Sequence, residues 1–320
     1  MIRDNRIRKT VTGIVVSIVL AFVSLSPAQA PLELYLDLNQ GDSYLCFMEM
    51  TRNVVQTIDD ADQQLNQSIS IYWHYEVMNR DSDGIMALRM TYERIRILQD
   101  FGFQKAEYDS DNPPSYIEPS LRGYGALIGA ELQVGIDPKG NVLALSGADI
   151  LSDRVISSLK IPDSQNKERI ISEIRRQFGE EALRGAIQQI TSFYPLKPVA
   201  IGDSWEFETA AAASGFPMRT VSHYTLVSRN NGIAEIAVES DITSDPEEGR
   251  IEMGEFSVAY DIAGGQRGTI KVDERSGLPM SSEIEMEFEG TVTGSGTRDR
   301  QTRSWPIKSD GRALVTFEKR

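Results

Sequence analysis

Two histidines could contribute to a metal site, and each begins a short stretch that resembles the other. HYEVMNRDSDGIMAL starts at His74, and HYTLVSRNNGIAEIA starts at His223. A structural zinc site needs four ligands and an open catalytic site three, whereas the chain has no further histidine and a single cysteine. If both stretches are strands, Tyr75 and Tyr224 lie on the face opposite the histidines. We therefore predict two buried tyrosines, two histidines that do not approach each other, and no metal ligands.

A Gly-Asp-Ser motif followed by an aromatic residue occurs twice and contains Ser43 and Ser204. It resembles the nucleophile motif of a serine-esterase family, whose members carry an Asp three residues before a late catalytic His. Here Ile71 and Thr220 occupy the corresponding positions. In those enzymes the serine leads into a helix, whereas both serines here lead into alternating strands. We predict two turns in which Asp and Ser side chains bond the local backbone, and no catalytic serine.

The segment NRDSDG resembles the start of a calcium loop, with oxygen ligands at Asn79, Asp81 and Asp83 and a sharp turn at Gly84. The bidentate Glu that such a loop needs six residues later is replaced by Met90. The second stretch has SRNNG here, which lacks both carboxylates. Both segments therefore predict hairpin turns rather than calcium sites.

Other chemistry-bearing residues also favour structural roles. Cys46 is the only cysteine, which excludes an intrachain disulfide, and YLCFMEM predicts a core residue rather than a nucleophile. SEIEMEFEGTV alternates strictly, which predicts a strand with one buried and one solvated face rather than a cation site. Its glutamates are Glu283, Glu285, Glu287 and Glu289. The sequence has no glycine-rich phosphate loop, so it does not predict nucleotide binding. We therefore predict no catalytic, cofactor-binding or metal-binding residue, and no cofactor.

The N-terminus, residues 1–30, is predicted to be a secretory signal peptide. A basic segment precedes the apolar run Val11–Leu25, and small residues follow it. Cleavage after Ala30 and cleavage after Ala28 are both considered, because Pro31 disfavours the first. The alternative is an uncleaved anchor, but fifteen residues are short for a span of about twenty. The sequence thus predicts export to the periplasm, cell surface or medium of a bacterium, with no membrane span after signal removal.

The charge balance is strongly acidic. The whole chain has 33 basic and 47 acidic residues, and without residues 1–30 it has 29 and 46, a net charge of −17. Nucleic acids and anionic lipid surfaces require an excess of Lys and Arg, so neither is an expected partner.

An internal similarity organises the rest of the chain. Three pairs of segments recur in the same order: GDSYLCFMEM with GDSWEFETAA, the two histidine stretches, and VGIDPKGNVLAL with IKVDERSGLPMS. Same-order recurrence predicts two related β repeats, 31–148 and 196–320, built from antiparallel strands and turns. Residues 31–320 form one domain or two.

Between the repeats the hydrophobic period becomes helical. The helical segment at 149–195 contains a helix from about Ile150 to Leu159 and a longer stripe that Gly179 divides. Polar loops are predicted at 59–67, 110–119 and 245–250. The predicted fold class is α+β, mainly antiparallel, in which curved sheets or a half-barrel carry the helical segment on one face. Two β sandwiches bridged by helices are the alternative.

Five segments carry a resemblance to a known family: LELYLDLNQGDSY, AEYDSD, VGIDPKGNV, KPVAIGDSWEF and KVDERSGLP. They resemble an exported bacterial family of unknown function, of the type found in Planctomycetes and Bacteroidetes. The resemblance implies export and a duplicated β-rich architecture, and it carries no activity. We predict a non-catalytic envelope protein that binds an apolar or lipid-like ligand in a helix-covered β concavity. The alternatives are a structural or interaction module that meets another envelope protein without a small ligand, and an unrecognised hydrolase.

Overall fold

Long antiparallel strands dominate the computed structural model, which describes residues 29–59, 61–163, 167–191, 193–213, 216–244, 251–253, 256–296 and 302–320. The predicted signal peptide up to residue 28 and the predicted loop 245–250 lie outside these ranges. The strands of the described residues are β1 (Ser43–Ile58), β2 (Ala61–Arg80), β3 (Met86–Asp100), β4 (Lys105–Asp109), β5 (Glu131–Ile136), β6 (Val142–Ser146), β7 (Ser204–Ala213), β8 (Phe216–Asn230), β9 (Ile233–Ser244), β10 (Ile251–Met253), β11 (Phe256–Asp273), β12 (Pro279–Gly296) and β13 (Thr302–Lys319).

The strands form one open, curved sheet in which hydrogen-bonded neighbours are antiparallel. Its order is β6-β5-β3-β2-β1-β13-β12-β11-β9-β8-β7, with β4 beside β3 and β10 beside β11. The mainly antiparallel class is therefore confirmed, whereas the alternative of two separate sandwiches is wrong. The reason is β13, which pairs with both β1 and β12 and joins the two sets of strands into a single ladder.

A short helix, α1 (Arg122–Gly125), follows a 3-10 turn at Pro119–Leu121 between β4 and β5. Three longer helices lie between β6 and β7: α2 (Ala148–Leu159), α3 (Lys167–Phe178) and α4 (Glu180–Thr191). Gly179 separates α3 from α4, as its position in the apolar stripe predicts. The predicted loop 110–119 is also present, between β4 and that turn.

The sheet has two chemically different faces. The face that contains Tyr44, Cys46 and Tyr224, here called the inner face, holds the buried core. The opposite face, here called the outer face, carries charged and hydroxyl side chains. Because directly opposite residues in a ladder share a face, the registers assign every paired residue to one of the two.

The two Gly-Asp-Ser turns have the same hydrogen bonds. In each, a glycine with positive φ donates its N–H to a carbonyl of the next strand, Gly41 to Val77 and Gly202 to Leu226, both at 2.8 Å. The Asp carboxylate that follows accepts a backbone N–H from three residues earlier. The aspartates bond the local backbone as predicted, whereas the predicted serine bonds to the local backbone are wrong, because Ser43 and Ser204 bond side chains of the neighbouring strand.

The helical segment is bonded to turns and strands on both sides of it in the sequence. Gln188 of α4 accepts the N–H of Val142 through its side-chain carbonyl oxygen at 2.7 Å. After the helix, the buried Tyr194 hydroxyl donates to the carbonyl of Gly277 at 2.8 Å. These bonds hold α4 and the residues after it against the turns at one end of the sheet.

An extended N-terminal segment, residues 32–38, crosses the same turns. Its leucines alternate and all are buried: Leu32, Leu34, Leu36 and Leu38. The N–H of Leu36 donates to Pro138 of one turn, and the N–H of Asp37 donates to Ser276 of another. This segment was not among the predicted strands, although its period of two is visible in LELYLDL.

The predicted loop at 59–67 is wrong. Only a tight turn at Asp59, whose φ is +50°, interrupts the hairpin, and β2 begins at Ala61. Its first residues pair in register with Arg52–Ile58. Polar side chains such as Gln63 and Gln64 are exposed there, so the pleat accommodates them in a strand.

Residues Pro31–Arg320 form one compact unit.

Candidate functional site

An apolar cavity lies where the helical segment covers the inner face. Its volume is about 60 Å³. The lining comes from the N-terminal segment, several strands and α4, and includes Leu36, Tyr75, Val134, Ile187, Ile190 and Phe317. Pockets that enclose drug-sized ligands measure roughly 300–1,000 Å³, so this cavity is small, and α4 covers part of it.

The cavity wall includes two tyrosines with little access to solvent. Burial raises the pKa of the Tyr75 phenol well above its ordinary value, and burial likewise raises the pKa of Tyr194. The Tyr75 ring lies 5.9 Å from that of Phe317, centroid to centroid, across β2, β1 and β13. Both phenols remain neutral at physiological pH, so the cavity wall carries no charge from them.

Apolar side chains continue beyond the cavity along the inner face. They stand in rows across β2, β1, β13 and β12, and each is half-buried: Met48, Met50, Ile69, Ile71, Ile284, Met286, Phe288, Ile307 and Val315. We call these nine residues the open apolar rows. The helices and the N-terminal segment thus leave this part of the inner face incompletely covered. Large contiguous apolar patches that are not fully covered commonly mark interaction sites or ligand-binding grooves.

One arginine interrupts the apolar inner face. Arg52 of β1 lies opposite Gln67 of β2 and Gly311 of β13. Its Nε atom is buried with no hydrogen-bond partner among the described residues, and so is the Oε1 atom of Gln67, a residue only 7% exposed. Burial lowers the pKa of the Arg52 guanidinium, and the phenol of Tyr124 on α1 partly opposes that effect.

The outer face is solvated and contains a broader polar groove. The four glutamates of β12 are exposed, as predicted. Arg267 pairs with Glu285 at 3.2 Å, and the imidazole Nδ1 of His223 lies 3.4 Å from Glu206. The groove beside them measures about 310 Å³ and is lined by His223, Glu239, Asp241, Arg267, Glu285 and Glu287. This groove is larger than the cavity on the inner face, but it is more open and its charges face solvent. We therefore take the apolar cavity on the inner face as the better candidate for ligand binding.

The two histidines lie far apart in the sheet. His74 is on β2 and His223 on β8, six strand spacings away, or about 29 Å along the sheet at about 4.8 Å each. The side-chain hydroxyl of Ser43 lies 2.6 Å from the imidazole Nε2 of His74. Ser204 instead bonds the hydroxyl of Thr225 at 2.8 Å. The structure thus brings a serine and a histidine together that the sequence analysis treated separately.

The Ser43–His74 pair lacks the surroundings of a hydrolase site. A catalytic serine needs a base that is itself oriented by a third group, and donors for the oxyanion. Among the described residues, Glu76, which lies opposite Ser43, forms its ion pair with Arg89. We therefore interpret the Ser43–His74 contact as a cross-strand hydrogen bond on the outer face.

The remaining candidate residues occupy structural positions. Cys46 is 1% exposed, and burial raises the pKa of its thiol to about 12, which leaves it protonated at neutral pH. The Asp81 carboxylate accepts the N–H groups of Asp83 and Ile85 at 3.0 and 2.8 Å, as in a hairpin turn. Within the described part of the chain, no three His, Cys, Asp or Glu side chains are grouped to hold a metal ion.

Fold and site together define an open antiparallel sheet protein with a partly covered apolar face. The chain belongs to a family of unknown function (DUF6263), whose model matches residues 83–279. No curated protein is significantly similar to it in sequence. In the ranges that the structure describes, no helix is both long and apolar enough to cross a membrane.

Comparison with solved structures gives only distant similarity. A lipovitellin structure concerned with lipid–protein interactions matches 88% of this chain at 9% identity with a TM-score of 0.47, and the chain spans 25% of that protein. OccK7 (OpdD) of Pseudomonas aeruginosa matches 88% of this chain and 100% of its own at 8% identity, with a TM-score of 0.25. An outer membrane channel from Pseudomonas putida F1 gives 7% identity and a TM-score of 0.22 over 89% of this chain and 98% of its own.

Proposed function

We propose that this protein is an exported, non-catalytic protein of the bacterial envelope that binds an apolar or lipid-like ligand on the inner face of its sheet. The open apolar rows carry the proposal. Interior side chains of a folded domain are packed to crystal-like density. Nine apolar residues in adjacent rows that are only half-buried indicate a surface that a ligand covers.

The helical segment fits the same function as a movable cover. Among the described residues, the hydrogen bonds that join α4 to the sheet and its turns all involve a side chain. The Val142 N–H donates to Gln188, Arg184 donates to the Val142 carbonyl, and Thr191 donates to the Gly140 carbonyl. Each such neutral hydrogen bond contributes about 1 kcal/mol. Displacing α4 would join the small cavity to the open apolar rows and make room for a ligand much larger than about 60 Å³.

Further parts of the proposal concern origin and location. Matching hydrogen bonds at the two Gly-Asp-Ser turns support an internal duplication, because β1 and β7 occupy equivalent places in sets of strands ordered β6-β5-β3-β2-β1 and β12-β11-β9-β8-β7. The basic and apolar N-terminal sequence supports export to the periplasm or cell surface.

A substitution on the inner face tests the function. Phe288→Glu places a charge among the open apolar rows, and Glu287→Gln, one residue away on the outer face, is the matched control. Native mass spectrometry of protein purified from its own host should detect a copurifying apolar molecule with the wild type and the control, and much less with Phe288→Glu. If none of the three proteins carries a ligand, the proposal is wrong.

A structural or interaction module is the second candidate. The observation that favours it is the row of exposed charges on the outer face, which could meet another envelope protein. Crosslinking in the intact envelope would then recover the same partner with wild type and with Phe288→Glu, and recover less of it with an outer-face charge reversal such as Glu285→Lys.

A further inference from the structure

Arg52 is a charged residue at a position where the strand pattern calls for an apolar one. In β1 the inward-facing series runs Tyr44, Cys46, Met48, Met50, Arg52 and Val54. On the outer side of the same strands, arginines have acidic partners, as Arg312 has Glu283. Arg52 has no acidic partner among the described residues, and Tyr124 is the group that acts on it electrostatically.

Arg52 is half-buried, and its buried Nε–H is costly without a hydrogen-bond partner, because it gives up water without compensation. The neighbouring Gln67 repeats the anomaly, because it is more than nine-tenths buried and its Oε1 has no partner. Both side chains project from directly opposite positions on the inner face. The unpaired Nε–H of Arg52 is a donor in an apolar surface, and the neighbouring Gln67 also has an NH2 group that donates, so the two side chains match a ligand group that accepts hydrogen bonds.

Position 311 on the adjoining strand is glycine. A Cβ atom there would lie 2.8 Å from the carbonyl oxygen of Thr51, 3.2 Å from the Cβ of Arg52 and 3.4 Å from the Cγ of Met286, so a larger residue does not fit without a shift. Arg52 therefore borders the open apolar rows at Met286, with no side chain from position 311 between them.

We propose that Arg52 and Gln67 bind the carboxylate head of a single-chain amphiphile, such as a fatty acid, whose alkyl chain lies along the open apolar rows. One guanidinium matches one negative charge, and its planar fork matches the two oxygens of a carboxylate. The side-chain NH2 group of Gln67 can donate a further hydrogen bond to the carboxylate, whereas its Oε1 is an acceptor and can only take a hydrogen bond from a donor such as the Arg52 guanidinium. This assignment rests on the proposed function and names the ligand class for the same surface.

The direction of the alkyl chain follows from the residues on either side of Arg52. Beyond Val54 and Leu65, the inward-facing pair is Gln56 and Gln63, which are polar. In the other direction the inward-facing positions are apolar as far as Tyr44, eight residues or about 27 Å away. The chain therefore points toward the cavity under α4.

Paired ligands and paired variants test the assignment. Dodecanoate and dodecan-1-ol share an alkyl chain and differ in head-group charge, and their affinities can be measured by tryptophan fluorescence because Trp73 and Trp305 lie on the inner face. The variants are Arg52→Met, Arg52→Lys and, as an outer-face control, Arg312→Met. Arg52→Met keeps an apolar stem and removes an unpaired charge, so it is expected to fold at least as stably as the wild type, which urea unfolding checks.

Loss of the guanidinium should weaken dodecanoate binding by about tenfold or more and leave the alcohol within about twofold. Arg52→Lys should retain intermediate dodecanoate affinity, and Arg312→Met should match the wild type. Unchanged dodecanoate binding by Arg52→Met, with both ligands bound, would overturn the head-group assignment and leave the proposed function standing. If the wild type binds neither ligand, the assignment and the proposed function both fail.

Discussion

Replacing Gly277 by alanine should destabilise the protein much more than the same change at Gly202. Both glycines have positive φ, +68° and +94°, so each substitution carries about 1 kcal/mol of backbone strain. A Cβ at Gly202 meets nothing within 4 Å, whereas one at Gly277 would lie 1.8 Å from the carbonyl oxygen of Tyr35. That atom belongs to the backbone of the N-terminal segment, so the segment itself must shift.

The cost of the shift follows from the bonds that it breaks. The N–H of Asp37 donates to Ser276 at 2.7 Å, and the Tyr194 hydroxyl donates to the carbonyl of Gly277 at 2.8 Å. Loss of both adds about 2 kcal/mol to the strain, which gives about 3 kcal/mol for Gly277→Ala against about 1 kcal/mol for Gly202→Ala. Equilibrium urea unfolding measures both values. A difference below about 0.5 kcal/mol would refute the crossing of the N-terminal segment over this turn.

Two further substitutions test the attachment of the helical segment and of the first turn. Tyr194→Phe leaves the Gly277 carbonyl without its donor, so it should lower the free energy of unfolding in urea by about 1–3 kcal/mol. It should also speed amide exchange in α4. A change in global stability alone, with unchanged exchange in α4, would contradict the role of the helical segment as a movable cover. Burial alone raises the pKa of Asp42, but hydrogen bonds from Lys319 and the Asn39 N–H outweigh it and lower the pKa overall. The stability that this carboxylate contributes is therefore present above its unfolded-state pKa and lost as pH falls through the lowered folded-state value. Unfolding from pH 5 to pH 3 should accordingly weaken the wild type more than Asp42→Asn, and parallel pH profiles would rule the interaction out.

The sequence predicted the elements whose signals are local. The two glycine-aspartate turns follow from residue type, because glycine accepts positive φ and aspartate bonds nearby N–H groups. The break at Gly179 and the solvated glutamates of β12 follow from hydrophobic periodicity. Tyr224 is buried as its alternation with His223 requires.

Long-range arrangement could not be predicted in the same way. Nothing in the sequence of β13 indicates that it lies between β1 and β12, since strand partners are set by the whole sheet. The polar start of β2 resembles a loop because an exposed hairpin needs no apolar face. The Arg52 position could be recognised only after the strand and its inward series were known, because a single arginine after two methionines is not unusual in itself.

The placement of β13 also constrains the order in which the molecule can fold. Lys319 contacts Asp42, 277 residues away in sequence, at the end of the ladder between β1 and β13. Ladders of such high contact order form slowly, and until this one closes, β1 and β13 each expose an unpaired edge, because β13 pairs locally with β12. An intermediate with two finished half-sheets and two free edges would be prone to pair with another copy. Refolding should therefore depend on protein concentration more steeply than native stability does, and a chaperone that shields strand edges would act at this step.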